Sequence, residues 1–297
     1  MSKNLRGSAI LFLTAIIWGF AFVAQSEGMD KIGALTFQAS RMLLASLVLL
    51  PTSLIMQNIR EKSTGKKERF LDRKTVFVGM VCGFFLCGAS ALQQIGIAYT
   101  SVGHAGFLTA LYILIVPVLG VFMGKLPSAR IWLCIALALV GLYMLCMTEE
   151  GFSMSLGDVL VTLCALVFAL HIIAVDRLAG ALDGVKISFV QMTFAGVLSL
   201  IFALIFEEPN LGDIVASWRP IAYAGVLSCG VAYTLQIIGQ KYTEPTVASI
   251  IMSLESVFAV LGGAIILKEK TTLPELAGCA LMFAATVISQ LPERKKN

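Results

Sequence analysis

Long apolar runs separated by short polar interruptions dominate the chain. None shows the two-residue alternation of strands that face lipid on one side. Ten runs stand out: 7–24, 34–56, 76–98, 103–123, 131–147, 156–175, 185–206, 221–240, 246–267 and 273–291. Each holds roughly 17 residues or more, enough as a helix to cross a hydrocarbon layer of roughly 30 Å. The connections are short apart from 58–74 and 207–220, which leaves no room for a soluble domain. The pattern predicts an all-α membrane protein of ten transmembrane helices.

The chain also repeats itself. Residues 92–100 read LQQIGIAYT and residues 235–243 read LQIIGQKYT, identical at six of nine positions. Further correspondences are Gly7 with Gly157, Trp18 with Phe168, Gln38 with Gln191, and Tyr112 with Glu255. Five spans per copy force the second copy into the membrane from the opposite side. The expectation is a 5+5 inverted-topology repeat, residues 1–147 and 148–297, integrated into one membrane domain around a central cavity. Inverted repeats characterise secondary transporters, whose binding site lies near the midplane between the copies.

Composition agrees: 58% of the 297 residues are hydrophobic and 13% charged, against about 25% charged in soluble domains. Cations set the orientation. With a cytoplasmic amino terminus, 17 Lys and Arg fall inside and four outside, with Arg41 inside a span. Both termini are therefore expected in the cytoplasm of a multi-pass cell-membrane protein, with Glu149 and Glu150 facing outward. The net charge of +4 then reflects topology and implies no nucleic-acid partner. The cationic 58–74 loop can touch anionic lipid headgroups, although topology alone accounts for its charge. The first span is longer than a signal-peptide core and lacks a convincing cleavage site, so it reads as an uncleaved helix. All seven cysteines lie in apolar spans, with no Cys-x-x-Cys pair and no histidine at ligand spacing. They read as small apolar residues, with no metal and no cofactor expected.

Polar groups at membrane depth are costly and normally face a bundle interior or a water-filled cavity. The ionisable ones are Arg41, His171 and Glu255, accompanied by Gln38, Gln93, Gln94, Thr109, Tyr112, Gln191, Gln236 and Ser253. Trp18 and Phe22 can add aromatic surface to a pocket, and these residues, Gln93 aside, are the twelve candidates to line it. Glu255 lies about 13–14 Å into its span at roughly 1.5 Å per residue, close to the midplane, with Tyr112 at matching depth from the other side. A carboxylate there can bind an amine, carry a proton or hold neighbouring helices. Arg41 can attract a carboxylate, pair with Glu255 or backbone carbonyls, or extend to the headgroups. His171 can titrate near neutral pH or bond one helix to another. Pro117 lies inside the fourth run, as a hinge or a static kink.

With these residues in view, the chain resembles the EamA-like branch of the drug/metabolite transporter superfamily along essentially its whole length. The resemblance is carried by IWGFAFV at 17–23, SRMLLA at 40–45, YTSV at 99–102, Pro117, SLESVFA at 253–259 and KEK at 268–270. It implies a 5+5 fold, alternating access and transport of a small solute, often export of amino acids, metabolites or drugs. Family members often carry Glu-Pro where this chain has Glu255-Ser256, so a straighter ninth helix is expected.

The leading function is a secondary transporter of a small-molecule solute, acting as a monomer or homodimer among membrane lipids. No phosphate-binding Gly-x-x-x-x-Gly-Lys-Ser/Thr motif exists to couple transport to a nucleotide. A lipid-binding scaffold or sensor is the alternative. An intramembrane enzyme would need a catalytic set that His104 and His171, on different spans, do not supply.

Overall fold

The structure is a computed structural model and describes residues 3–67, 69–100, 102–146, 155–267 and 271–291. Every regular element among the described residues is helical. A chain in hydrocarbon must satisfy each backbone amide within its own segment, and a helix does so. In chain order these are α1 (Lys3–Gly28), α2 (Ala34–Thr64), α3 (Arg73–Ile97), α4 (Val102–Ala110), α5 (Tyr112–Phe122), α6 (Ala129–Cys146) and α7 (Leu156–Ala174). There follow α8 (Gly184–Phe206), α9 (Leu211–Ala216), α10 (Trp218–Ala222), α11 (Tyr233–Gln240), α12 (Pro245–Met252), α13 (Glu255–Gly262) and α14 (Leu273–Ser289). Among the described residues, eight helical segments are long and apolar enough to cross a membrane, and Ala129–Leu145 and Leu273–Ser289 are shorter apolar helices. The protein is a multi-pass membrane protein.

Three features depart from the sequence expectation. First, the 58–74 interruption is partly helical. α2 continues to Thr64, supported by a Gln57–Glu61 side-chain hydrogen bond one turn apart. Gly65 ends it at φ 66°, its N–H bonding the Glu61 carbonyl in a left-handed cap. Second, the 207–220 interruption holds α9, which Asn210 caps through the N–H groups of Gly212 and Asp213.

Third, two spans are broken at matching places. α4 gives way to α5 at Leu111, and α12 to α13 at Ser253–Leu254. At both breaks the backbone tightens to i−3 hydrogen bonds, from Leu114 to Leu111 and from Ser256 to Ser253. The expected straighter ninth helix is thus not observed. The missing proline does not prevent the break, and the Ser256 hydroxyl ties α13 to the Gly106 carbonyl of α4 instead. α5 runs through Pro117, six residues beyond its own break.

The packing is pairwise. α2 lies on α8, α3 on α7 and α8, α1 on the Trp218–Gln240 segment and on α12–α13, α4–α5 on α7, and α6 on α14. Several contacts bring backbones together at glycine, as small residues allow in lipid. Gly157 meets Gly96, Gly7 meets Gly239, and Gly141 meets Gly278. Glu149, Glu150, Ser101, the 268–270 motif, the carboxy-terminal cations and the side chains of His104 and Cys146 lie outside the described residues. The other six cysteines are free thiols.

Candidate functional site

A polar cavity lies where the broken helices meet the rest of the bundle. α1 contributes Trp18, Phe22 and Gln25, spaced four and three apart and so on one helical face. Phe168 and Ile172 of α7 repeat the four-residue spacing. α2 supplies Arg41, α3 Gln93, and the α4–α5 pair Thr109 and Tyr112. Ser228 comes from a π-helical stretch (Tyr223–Ala232), Tyr233 and Gln236 from α11, and Met252 and Glu255 from either side of the α12–α13 break. The cavity volume is about 30 Å³, room for water but not for a metabolite.

Three sets of contacts organise it. The Tyr112 hydroxyl donates to Glu255 Oε1 at 2.9 Å. Glu255 opens α13, where the helix dipole favours negative charge. Gln93 Nε2 donates to Thr109 Oγ1 at 3.0 Å. Trp18 packs on Tyr233 with centroids 4.7 Å apart, while its indole N–H donates to the Ser228 carbonyl. Arg41 stands apart. It is 4% exposed, lies 5.6 Å over the Phe37 ring, and has no ion-pair partner among the described residues. Its Nε and the Oε1 atoms of Gln25 and Gln236 are buried without hydrogen-bond partners. Such orphaned atoms call for a water or a ligand.

Of the twelve residues expected to face a cavity, Trp18, Phe22, Arg41, Thr109, Tyr112, Gln236 and Glu255 line this one. The other five lie between helices. Gln38 donates to the Cys87 carbonyl and to Ser199 Oγ, Gln94 to the Gln25 carbonyl, and Ser253 to the Ile250 carbonyl. His171 and Gln191 contact each other at 3.3 Å, with the imidazole edge-on to Tyr233. Ser253 bonds back into its own helix, and each of the other four is buried by bonding a neighbouring segment, which lets it stay in the bundle without facing the cavity. No Arg41–Glu255 ion pair forms. Gln25, Phe168, Ile172, Ser228, Tyr233 and Met252 were not expected, and Gln93 was noted only as a polar position. The internal sequence match carried part of the missing signal. At the offsets of the sequence match, Trp18 pairs with Phe168, Phe22 with Ile172, Gln93 with Gln236, Thr109 with Met252 and Tyr112 with Glu255, and all ten line the cavity. Among the described residues no group of three potential ligands is placed to hold a metal ion.

Apolar helices packed around a buried polar cavity define a multi-pass membrane protein with an internal site. The chain belongs to the EamA-like transporter family, whose family model matches residues 5–147 and again 155–290, and through it to the drug/metabolite transporter superfamily. It is a membrane transporter. Two uncharacterized transporters of Archaeoglobus fulgidus are similar over nearly the whole chain. One is 28% identical, covering 97% of this chain and 87% of the relative. The other is 25% identical, covering 95% and 96%. One protein of known crystal structure shares the fold with a TM-score of 0.78 at 16% identity, covering 96% of each chain.

Proposed function

We propose that the protein is a secondary transporter that moves a small metabolite, an amino acid or a related solute, out across the cell membrane by alternating access. In this reading ten spans form two inverted repeats, residues 1–147 and 148–297, with both termini cytoplasmic. The observation that carries it is the cavity lining itself, in which five pairs of repeat-equivalent positions converge on one buried space. A site shared between two copies is what a rocking exchange of access requires. The family model's two successive matches support the same division.

The lining supports a zwitterionic solute with an apolar body. Arg41, buried and without an ion-pair partner among the described residues, offers its planar fork to a carboxylate. Glu255, with Tyr112, offers an acceptor to an amine or carries a proton. Trp18, Tyr233, Phe22 and Phe168 cover an apolar body. The present cavity is too small for such a solute, so this state is a narrow one and the helices must part to load it. The breaks at Leu111 and Ser253–Leu254, where the backbone already departs from the i−4 ladder, are where this reading puts the bending. Counterflow in proteoliposomes tests the proposal. Saturable exchange of a zwitterionic solute is expected, and lack of saturable exchange across amino acids, amines and organic acids would overturn it.

A further inference from the structure

A second cavity, about 330 Å³, opens at the start of α3 and is separate from the central one. Its walls differ in chemistry. Arg69, Asp72 and Arg73, with Leu71 among them, form one, while Val76, Phe77 and Met80, further along the same segment, form the other. Phe77 is 62% and Met80 42% exposed, on the flank of a helix that crosses the membrane. They stand three apart and share a face. The charged part of the lining thus lies at the start of that apolar span and the apolar part inside it.

The cationic wall is held in place. The Lys186 ammonium, on a buried residue of α8, donates to the Arg69 carbonyl at 3.3 Å and lies 5.8 Å over the Phe70 ring. Phe70 packs on Phe189 with centroids 6.1 Å apart. The backbone before α3 is thus fixed to α8, while neither guanidinium has an ion-pair partner among the described residues. Asp72 is committed to α3, its carboxylate accepting the Thr75 N–H at 2.6 Å. That bond holds its pKa below the ordinary carboxylate range. Among the described residues of the lining, the two guanidiniums outweigh it.

We propose that this cavity binds one anionic phospholipid, its phosphate between Arg69 and Arg73 and an acyl chain along Phe77 and Met80. Only an amphiphile covers both walls. A soluble anion would leave the apolar wall bare, and a neutral lipid would leave the excess positive charge unmet. Arginine suits the phosphate because its fork chelates two oxygens. The site does not depend on the transport reading.

Native mass spectrometry of delipidated protein tests it, with phosphatidylglycerol, phosphatidylcholine of the same chains, and inorganic phosphate as separate probes. Phosphatidylglycerol is expected to bind most tightly. Arg69→Ala with Arg73→Ala should weaken it about 25-fold, at about fivefold per cation near a membrane surface. Lys66→Ala with Lys67→Ala removes equal charge from the same loop outside the cavity, and should weaken it by less than about threefold. The Arg69→Lys, Arg73→Lys variant keeps the charge and should give an intermediate loss, which guards against misfolding of the alanine pair. Phe77→Ser should weaken the lipid alone. Equal losses from both alanine pairs, equal binding of the two lipids, or full competition by inorganic phosphate would each overturn the proposal.

Discussion

Tyr112 and Glu255 occupy the same place on two helices broken alike. Each is the first residue after its break, and the tyrosine hydroxyl donates a 2.9 Å hydrogen bond to the glutamate carboxylate. The bond joins the two proposed repeats at the wall of the cavity. Opening the cavity between α5 and α13 must break it, so substrate or a proton has to replace it on Glu255. Glu255→Gln should therefore lower exchange at least tenfold with little loss of folding. Tyr112→Phe leaves a buried oxygen short of a donor, at a cost of about 1–3 kcal/mol. It should alter apparent solute affinity. Counterflow with a solute panel checks both, and wild-type exchange by Glu255→Gln would remove the carboxylate from the cycle.

Arg41 makes a sharper prediction. A buried charge without a counter-charge is unfavourable in the empty protein, and among the described residues Arg41 is such a charge. Arg41→Met should leave the melting temperature of unliganded protein unchanged or higher. The same variant should bind a carboxylate-bearing solute about 10- to 100-fold more weakly, as expected for a lost hydrogen bond to a charged group of about 1.5–3 kcal/mol. Ligand-induced thermal shifts read both quantities at once. A clear fall in unliganded stability would mean that Arg41 holds the helices together rather than awaiting an anion.

Which parts of this were legible in the sequence follows from what each signal reports. Apolar runs report exposure to lipid, and the spans from α1 to α14 follow them closely. The α6 run, expected at 131–147, forms Ala129–Cys146. The helix breaks were not legible, because Leu111 and Leu254 keep right-handed helical angles and no glycine or proline marks either position. Pro117 is the visible signal in that span, yet α5 passes through it. A polar residue in a span reports only that it needs a partner. Gln38 finds one in the Cys87 carbonyl and Gln236 faces the cavity, and nothing local separates them. The internal match separates them better. It aligns Gln93, not Gln94, with Gln236, and Gln93 is the one in the cavity.

At the opposite end of α2, its capping group comes from another helix. Gly33 precedes α2 and offers no side chain, and the Glu207 carboxylate at the end of α8 accepts from the Leu35 N–H, the Thr36 N–H and the Thr36 hydroxyl at 2.6–2.9 Å. The bond set locks the α2–α8 pair at this end, as Arg60 and Asp183 pair at the other. Glu207→Ala should destabilise the protein by about 1–2 kcal/mol, the scale of a lost helix cap. Glu207→Gln keeps an acceptor oxygen and should fall between. Thermal melts in detergent check the order, and a Glu207→Ala melt equal to wild type would refute the cap.

The glycine contacts predict which substitutions the bundle rejects. A methyl group on Gly157 would stand 2.6 Å from the Gly96 carbonyl oxygen, and one on Gly141 would stand 2.7 Å from the Gly278 carbonyl oxygen. Both obstacles are backbone, which cannot swing aside as a side chain does. Gly157→Ala and Gly141→Ala should each cost about 1–3 kcal/mol, the usual penalty of overpacking. Gly88 provides the internal comparison, since a methyl there meets only Val167 Cγ1, at 3.8 Å. Gly88→Ala should be neutral or stabilising by up to about 1 kcal/mol through helix propensity. The contrast isolates close approach from propensity, because the same change is made in all three helices. If the three variants melted alike, the helices would not be held at backbone contact, and the Gly157–Gly96 and Gly141–Gly278 contacts would lose their meaning as seams between the two proposed repeats.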